Sequence, residues 1–260
     1  MSTVTMTIDG RQVEVPADSY LLGAIRQLGI EVPALCHHAA VDPFAACRLC
    51  MVEIRKEGWD EDWTKMVASC AFPVENGLTV LTASPRVQRV RRVLFEMLLA
   101  RCPESEVVRD LASSYGVSTT PFEKRAHPDR CILCGTCTRV CDKLGASAIS
   151  TNQRGVAKRV GSPFGEKPVD CIGCLSCALN CPTGHITYSE TDDARKIWNR
   201  SFPLQRCEGC GIAHVTREQV EFTMERHGLP VEHFSLCETC KQARTAQVFA
   251  GLSVPVEGAS

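Results

Sequence analysis

The sequence lacks long hydrophobic runs and has no excess of charge of either sign. No stretch reaches the roughly 18 apolar residues of a transmembrane helix, so we expect no direct membrane insertion. The 29 basic and 30 acidic residues nearly cancel, which gives no reason to expect nucleic-acid binding. The N-terminal residues alternate polar and apolar types instead of leading from a basic region into an apolar run. We therefore expect no signal peptide.

Two common nucleotide-binding motifs are also missing. The sequence contains neither G-x-G-x-x-G after a strand nor G-x-x-x-x-G-K-[ST]. If NAD(H) or a flavin takes part in the chemistry, we expect a partner to bind it. A stand-alone redox enzyme is disfavoured for the same reason, since the chain has no recognisable cofactor loop or nucleophile set.

Cysteine, in contrast, is abundant, with 17 residues. In a short secreted chain this number would suggest disulfide bonds, but here most cysteines stand in C-x-x-C pairs. Thiolates spaced in this way in a reducing compartment are metal ligands, and we expect the protein to be cytoplasmic. Sixteen cysteines fall into four groups of four, and Cys102 is left over. We expect Cys102 to be an ordinary buried or half-exposed thiol.

The most specific signal is a C-x2-C-x2-C-x3-C motif that occurs twice in residues 126–190. At this spacing three cysteines bind one cubane cluster and the fourth binds the other. We therefore predict a bacterial-type ferredoxin domain with two [4Fe–4S] clusters. Gly135 and Gly173 would let backbone amides turn toward the cluster sulfurs. The predicted ligands are Cys131, Cys134, Cys137 and Cys181 for the first cluster, and Cys171, Cys174, Cys177 and Cys141 for the second.

Residues 1–80 are predicted to form a β-grasp ferredoxin domain. Apolar and polar residues alternate on both sides of Asp9-Gly10, a pair typical of a hairpin turn, and Ser19 is expected to cap a helix that runs through Leu28. The spacing C-x10-C-x2-C-x19-C supplies three thiolates from one loop and a fourth from the returning chain. We interpret it as a [2Fe–2S] site, with a zinc site as the alternative. The predicted ligands are Cys36, Cys47, Cys50 and Cys70.

Residues 81–125 are expected to be a helical linker. Apolar residues between Val87 and Leu98 form a stripe, with the arginines of the segment, Arg91 among them, mostly outside it. This pattern is typical of an amphipathic helix that packs on its neighbours. Binding to a membrane surface or to nucleic acid is the alternative for this helix.

Residues 191–260 carry the last group, a C-x2-C-G pair followed by a distant C-x2-C pair. This pattern is typical of zinc ribbons, in which two knuckles hold one tetrahedral zinc ion, and Gly211 suits the positive φ of a knuckle turn. A further iron–sulfur cluster would use the same four thiolates, so both metals stay open. The last ten residues are expected to fray. The predicted ligands are Cys207, Cys210, Cys237 and Cys240. The predicted fold class for the whole chain is α+β.

Three segments resemble a known family: Asp129 to Cys141, Gly161 to Gly165, and Cys181 to Gly184. They resemble the N-terminal region of the large iron–sulfur subunit of NADH:quinone oxidoreductase. They are equally similar to the diaphorase small subunit of NAD-reducing [NiFe] hydrogenases, to iron-only hydrogenases and to some NAD-dependent formate dehydrogenases. The resemblance covers about residues 1–190.

This resemblance implies a non-catalytic subunit that relays single electrons between two partners. One partner would bind flavin and NAD(H), and the other would be the catalytic subunit of a hydrogenase, a formate dehydrogenase or another reductase. The family often carries a further cluster bound by one histidine and three cysteines, but the stretch from Leu99 to Ala112 offers only Cys102 and no histidine. We expect that cluster to be absent. The alternative function, from another class, is an assembly or scaffold protein whose clusters and zinc are structural.

Overall fold

The structure of the chain, a computed structural model, describes residues 2–60, 63–125 and 129–252. The expected fraying of residues 251–260 lies outside these ranges from residue 253 onward. Within the described part of the chain, no helix combines the length and the apolar character needed to cross a bilayer.

The N-terminal unit is a five-stranded sheet with one helix packed on it. The strands are β1 (Thr3–Ile8), β2 (Arg11–Pro16), β3 (Met51–Lys56), β4 (Lys65–Ala68) and β5 (Leu78–Leu81), in the order β2-β1-β5-β3-β4. β1 and β2 form the predicted antiparallel hairpin, whereas β5 runs parallel to β1 and pairs with β3 on its other side. A hairpin, a helix and a returning parallel strand make the β-grasp arrangement that the sequence predicts.

Helix α1 (Leu21–Gln27) connects the hairpin to the cysteine loop and begins later than expected. Ser19 is not its N-cap; Tyr20 holds that position without a side-chain hydrogen bond. The Ser19 hydroxyl instead donates to the carbonyl of Pro16, a local turn contact that competes with capping. The helix still buries Leu21, Leu22 and Ile25 against the sheet, as the apolar spacing predicts.

Helix α2 (Pro85–Arg101) packs against β3 and the N-terminal cysteine loop. Its buried face differs from the predicted apolar stripe. Val93 and Met97 are 44% and 54% exposed, although the stripe included them. Four of the five buried residues follow a four-residue step along the helix: Val87, Arg91, Phe95 and Leu99. Helix α3 (Glu106–Ser114) packs against α2, and the two share a core that reaches Cys36 and Cys47.

Arg91 was expected outside the apolar stripe, but it is 4% exposed. Its guanidinium donates hydrogen bonds to three backbone carbonyls, and these partners make its burial possible. The acceptors are the carbonyls of Leu49 at 3.2 Å, Met51 at 3.1 Å and Thr82 at 3.3 Å. A periodicity of apolar residues cannot reveal an arginine whose acceptors lie in distant backbone.

The remaining described residues form two smaller units. The first contains α4 (Thr136–Leu144), the two-stranded sheet of β6 (Ser150–Asn152) and β7 (Arg159–Gly161), and α5 (Ser176–Leu179). The second is a sheet in the order β11-β10-β9-β8, formed by β8 (Tyr188–Glu190), β9 (Ala194–Ile197), β10 (Arg200–Arg206) and β11 (Ala213–Thr216), with α6 (Arg217–His227) and α7 (Glu238–Leu252). Each C-x2-C-x2-C-x3-C motif runs from a loop into α4 or α5.

Candidate iron–sulfur and metal sites

The structure brings the four cysteines of the N-terminal loop together in a buried position. Cys36, Cys47, Cys50 and Cys70 are each less than 8% exposed. The backbone N–H of Cys47 donates to Cys36 Sγ at 3.4 Å. Hydrogen bonds shared among these thiols lower the pKa of Cys36 to about 2 and that of Cys50 to about 6, and they raise the pKa values of Cys47 and Cys70. Four cysteine sulfurs gathered in one buried group suit the binding of an iron–sulfur cluster.

The backbone of this loop is unusual at two positions. Ala45 and Arg48 have φ values of 53° and 60°, in the left-handed region that non-glycine residues seldom adopt. Such conformations concentrate at ligand-binding sites, where the surrounding structure maintains them. Arg91 supplies part of this support, because it holds the carbonyl of Leu49 between two of the cysteines.

The unit that contains α4, β6, β7 and α5 is called the ferredoxin-like unit here, after the domain that the sequence predicts. One of its cavities is lined by four cysteines from both motifs: Cys131, Cys134, Cys137 and Cys181. The backbone N–H of Leu133 donates to Cys131 Sγ at 3.4 Å, and that of His185 donates to Cys181 Sγ at 3.3 Å. Backbone donors aimed at sulfur stabilise bound thiolates and tune a cluster that they hold.

A second cavity is lined by Cys141, Cys171, Cys174 and Cys177. Here too the fourth cysteine comes from the other motif, so each cavity takes three sulfurs from one loop and one from the other. The backbone N–H of Ala148 donates to Cys141 Sγ at 3.3 Å. The indole N–H of Trp198 lies 3.4 Å from Cys177 Sγ, a contact that the sequence reasoning missed.

The loops of the two C-x2-C-x2-C-x3-C motifs, called the first and second cysteine loops, share a backbone shape. Two residues after the first cysteine of each motif stand Leu133 and Gly173, with φ values of 53° and 68°. Two residues further on stand Gly135 and Leu175, with φ values of 69° and 62°. Left-handed residues at matched positions turn both loops around their cavities. The sequence identified only the glycines, because a leucine carries no signal for positive φ.

Three side chains of the C-terminal sheet donate hydrogen bonds to successive carbonyls of the second cysteine loop. The pairs are Arg200 with Cys171 at 2.8 Å, Thr216 with Ile172 at 2.5 Å, and Arg195 with Gly173 at 2.8 Å. Arg195 is buried and also forms an ion pair with Glu190 at 2.7 Å. The C-terminal unit therefore braces the loop that carries three of the four cysteines of the second cavity.

Arg139 connects the ferredoxin-like unit to the N-terminal cysteine loop. It lies on α4 between Cys137 and Cys141, and its Nη2 donates to the carbonyl of Cys36 at 2.7 Å. Its Nη1 donates to the carbonyl of Asp42 at 2.6 Å, and its guanidinium lies 5.3 Å from the centre of the Phe44 ring. Charge-assisted hydrogen bonds from one planar group to two carbonyls fix the relative position of the two loops.

The C-terminal cysteines form the most compact group. The Sγ atoms of Cys207, Cys210, Cys237 and Cys240 all lie within 4.8 Å of one another, and those of Cys210 and Cys237 are 3.7 Å apart. A zinc–sulfur bond of about 2.3 Å in a regular tetrahedron gives a sulfur–sulfur distance of about 3.8 Å. The group therefore has the dimensions of a site for one tetrahedral ion.

The elements around this group differ in part from two matched knuckles. Cys207 and Cys210 stand in the turn between β10 and β11, where Gly211 has the expected positive φ of 75°. Cys237, however, directly precedes α7 and Cys240 lies in its first turn, so a helix start replaces the second hairpin. The backbone N–H of Cys237 donates to Cys207 Sγ at 3.2 Å and lowers the pKa of Cys207 to about 6.

Cys102 lies in the core between α2 and α3 and is fully buried. Its Sγ donates to the carbonyl of Leu98 at 3.0 Å. Burial raises the pKa of Cys102 to about 12, so the thiol stays protonated, in line with the expected ordinary buried cysteine.

The β-grasp sheet and its buried cysteine loop place the chain in the class of iron–sulfur proteins. Residues 1–85 match the family model described as "2Fe-2S iron-sulfur cluster binding domain". The chain is 33% identical over 242 residues to the NADPH-Fe(3+) oxidoreductase subunit alpha of Geobacter sulfurreducens. It is 31% identical over 245 residues to a subunit of the NADH-quinone oxidoreductase of Streptomyces coelicolor. Each alignment covers 82% of this chain but 28% of the relative, so the chain spans less than a third of their length.

One solved structure contains a chain that is similar to most of the present chain. The crystal structure of an NAD+-reducing [NiFe]-hydrogenase contains a chain that is 30% identical, with a TM-score of 0.60. The match covers 71% of this chain and 86% of that one. The protein belongs to the family of iron–sulfur subunits of NADH-quinone oxidoreductases and NAD-reducing hydrogenases.

Proposed function

We propose that the chain is an electron-relay subunit with one [2Fe–2S] cluster and two [4Fe–4S] clusters. The first would be held by the cysteines of the N-terminal loop and the others by the two four-cysteine cavities. Each cluster, when bound, takes up or gives up one electron. The observation that carries the proposal is the pair of cavities in which each motif supplies the fourth cysteine of the other.

The protein's own residues hold these sites and set their environment. Arg139 joins the N-terminal loop to α4, which carries Cys137 and Cys141, so the three cysteine sets form one continuous series. Backbone N–H groups and the indole of Trp198 donate to the sulfurs, and such hydrogen bonds tune reduction potentials. A series of one-electron sites suits relay better than catalysis.

The proposal assigns the partners by family likeness. One partner would bind flavin and NAD(H), because the similar proteins are named as NADH-, NADPH- or NAD+-linked. The other would be the catalytic subunit of a hydrogenase, a formate dehydrogenase or another reductase, within the same oxidoreductase complex. A reducing cytoplasm is the compartment in which so many thiolates persist as metal ligands.

The C-terminal four-cysteine group would hold one zinc ion. Its sulfurs lie as close together as the ligands of one tetrahedral ion, whereas a cubane binds each thiolate at a different iron and so needs wider spacing. We assign this ion a structural role, since all four positions of a tetrahedron are taken by protein sulfurs.

The first test is metal analysis of protein purified anaerobically. We expect about ten iron atoms per chain, matching acid-labile sulfide, and about one zinc ion. Electron paramagnetic resonance after stepwise reduction should then show reversible signals for the clusters. About fourteen iron atoms without zinc would make the C-terminal group a fourth cluster. Clusters that dithionite does not reduce reversibly would favour a scaffold protein with structural metals and overturn the relay.

A further inference from the structure

A wide groove lies directly over both four-cysteine cavities. His185 and Ile186 line the groove on one side and the first cavity on the other. Ile197 and Trp198 line the groove and the second cavity in the same way. A single layer of side chains therefore separates the groove from both sites, which is the arrangement that short-range electron exchange with a docked partner requires.

The walls of this groove are rich in exposed positive charge. Arg159, Lys167 and Lys196 are exposed, and Glu166 is the acidic residue of the lining. Among the described residues, none of these three cations forms an ion pair. Cations without internal partners on one surface attract an acidic surface and steer its approach.

An exposed aromatic residue stands at the edge of the groove. Phe164 is 96% exposed and lies between the lining residues Ser162 and Gly165. Its φ is 56°, a conformation that costs free energy for a bulky residue and is uncommon outside functional segments. An aromatic side chain beside a set of charges is typical of the residues that anchor protein interfaces.

We propose that this groove is the docking surface for an acidic redox protein, which exchanges one electron at a time across the layer formed by Ile186 and Trp198. The exchange transfers no atoms: the chain is oxidised as the docked protein is reduced, or the reverse. The inference rests on the proposed relay function and adds the surface and the charge of the partner.

The test compares two triple variants of the cluster-loaded protein. The groove variant carries Arg159→Glu, Lys167→Glu and Lys196→Glu. The control variant carries Arg11→Glu, Lys65→Glu and Arg89→Glu, three exposed residues of the N-terminal part of the chain with the same total change in charge. Calorimetric titration with an acidic bacterial ferredoxin as the probe gives the Kd at low salt. Iron content and cluster spectra establish that each variant is folded and loaded.

We expect the groove variant to bind the probe at least about tenfold more weakly, and the control variant to stay within about threefold of wild type. The wild-type Kd should rise with salt, and Phe164→Ala should weaken binding several-fold. Equal effects of the two triple variants, or unchanged binding by the groove variant, would overturn the docking surface while leaving the relay intact. Clusters that cannot be reduced would overturn the relay itself, and the docking proposal with it.

Discussion

The indole N–H of Trp198 donates a hydrogen bond to Cys177 Sγ across 3.4 Å. Trp198 and Asn199 form the two-residue turn between β9 and β10, with φ values of 53° and 59°. Two positive φ angles in a two-residue hairpin indicate a type I′ turn, which favours asparagine and glycine. Tryptophan is a costly residue at this position, and its contact with the sulfur supplies a reason for its presence.

Replacing this tryptophan should change one reduction potential. Trp198→Phe keeps an aromatic side chain at this position but removes the indole N–H donor. When the second cubane is reduced, the added negative charge makes its ligand sulfurs better hydrogen-bond acceptors. Because the hydrogen bond stabilises the reduced state more, its loss should lower the potential of the second cubane by tens of millivolts, on the order of a single weak hydrogen bond. Redox titration followed by electron paramagnetic resonance measures the shift. Trp63→Phe, at an exposed position, is the control, and an unchanged potential in Trp198→Phe would contradict the assignment.

Gly173→Ala should damage the second cysteine loop. An added Cβ would lie 2.7 Å from Phe202 Cγ, and φ at this position is +68°. Phe202 is fully buried and cannot move aside, so we expect a loss of stability of about 2–4 kcal/mol and loss of iron from the second site. Thermal unfolding and iron analysis check this. In the matched variant Gly116→Ala, φ is +72° and the space is open, so only the backbone cost of about 1 kcal/mol should remain.

Arg139→Gln should loosen the N-terminal unit from the ferredoxin-like unit without emptying either. It removes charge-assisted hydrogen bonds to the carbonyls of Cys36 and Asp42, worth about 1.5–3 kcal/mol. We expect normal iron content, a lower denaturation midpoint and slower equilibration of electrons between the [2Fe–2S] cluster and the cubanes after rapid reduction. Lys143→Gln, on the same helix and exposed, is the control. Unaltered equilibration would mean that the contact does not position the two loops for electron transfer.

Removal of the metal proposed for the C-terminal cysteine group should change the spectrum of the second cubane. Cys210→Ser removes one of the proposed zinc ligands, an exposed cysteine, and the adjoining sheet carries the three donors to the loop from Cys171 to Gly173. We expect loss of zinc together with a broadened or shifted spectrum of the second cubane, while the [2Fe–2S] signal stays unchanged. An unchanged cubane spectrum after complete zinc loss would show that the sheet holds the loop without the metal.

Cys102 should be chemically inert in the folded protein. Burial raises its pKa to about 12, so almost none of it is thiolate at pH 8, and reagents cannot reach it. Iodoacetamide should leave it unmodified until denaturant is added, as mass spectrometry of the peptide would show. Cys102→Ser should keep the full iron content. Loss of a cluster in that variant would instead identify Cys102 as a ligand.

The sequence predicts the parts of this molecule whose signals are local. Alternation on both sides of Asp9-Gly10 predicted the hairpin, and spacing alone grouped the cysteines that the structure gathers around each cavity. Arg91 was misplaced because two of its three carbonyl acceptors, Leu49 and Met51, lie 42 and 40 residues away in the chain. The Trp198 contact was missed for a similar reason, since a tertiary hydrogen bond from a hairpin turn leaves no pattern in the neighbouring residues.

Helix α4 is nine residues long, about 13 Å, and it touches all three cysteine sets. Cys137 faces the first cavity, Cys141 faces the second, and Arg139 holds the carbonyl of Cys36. The spacing of Cys137 and Cys141 is thereby set by the hydrogen-bonded backbone of one helix, and the Arg139 side chain holds the N-terminal cysteine loop against that helix. Electron steps inside the chain should therefore be first order and indifferent to dilution. A single residue inserted into α4 would turn one contact by about 100° and break the series in the middle.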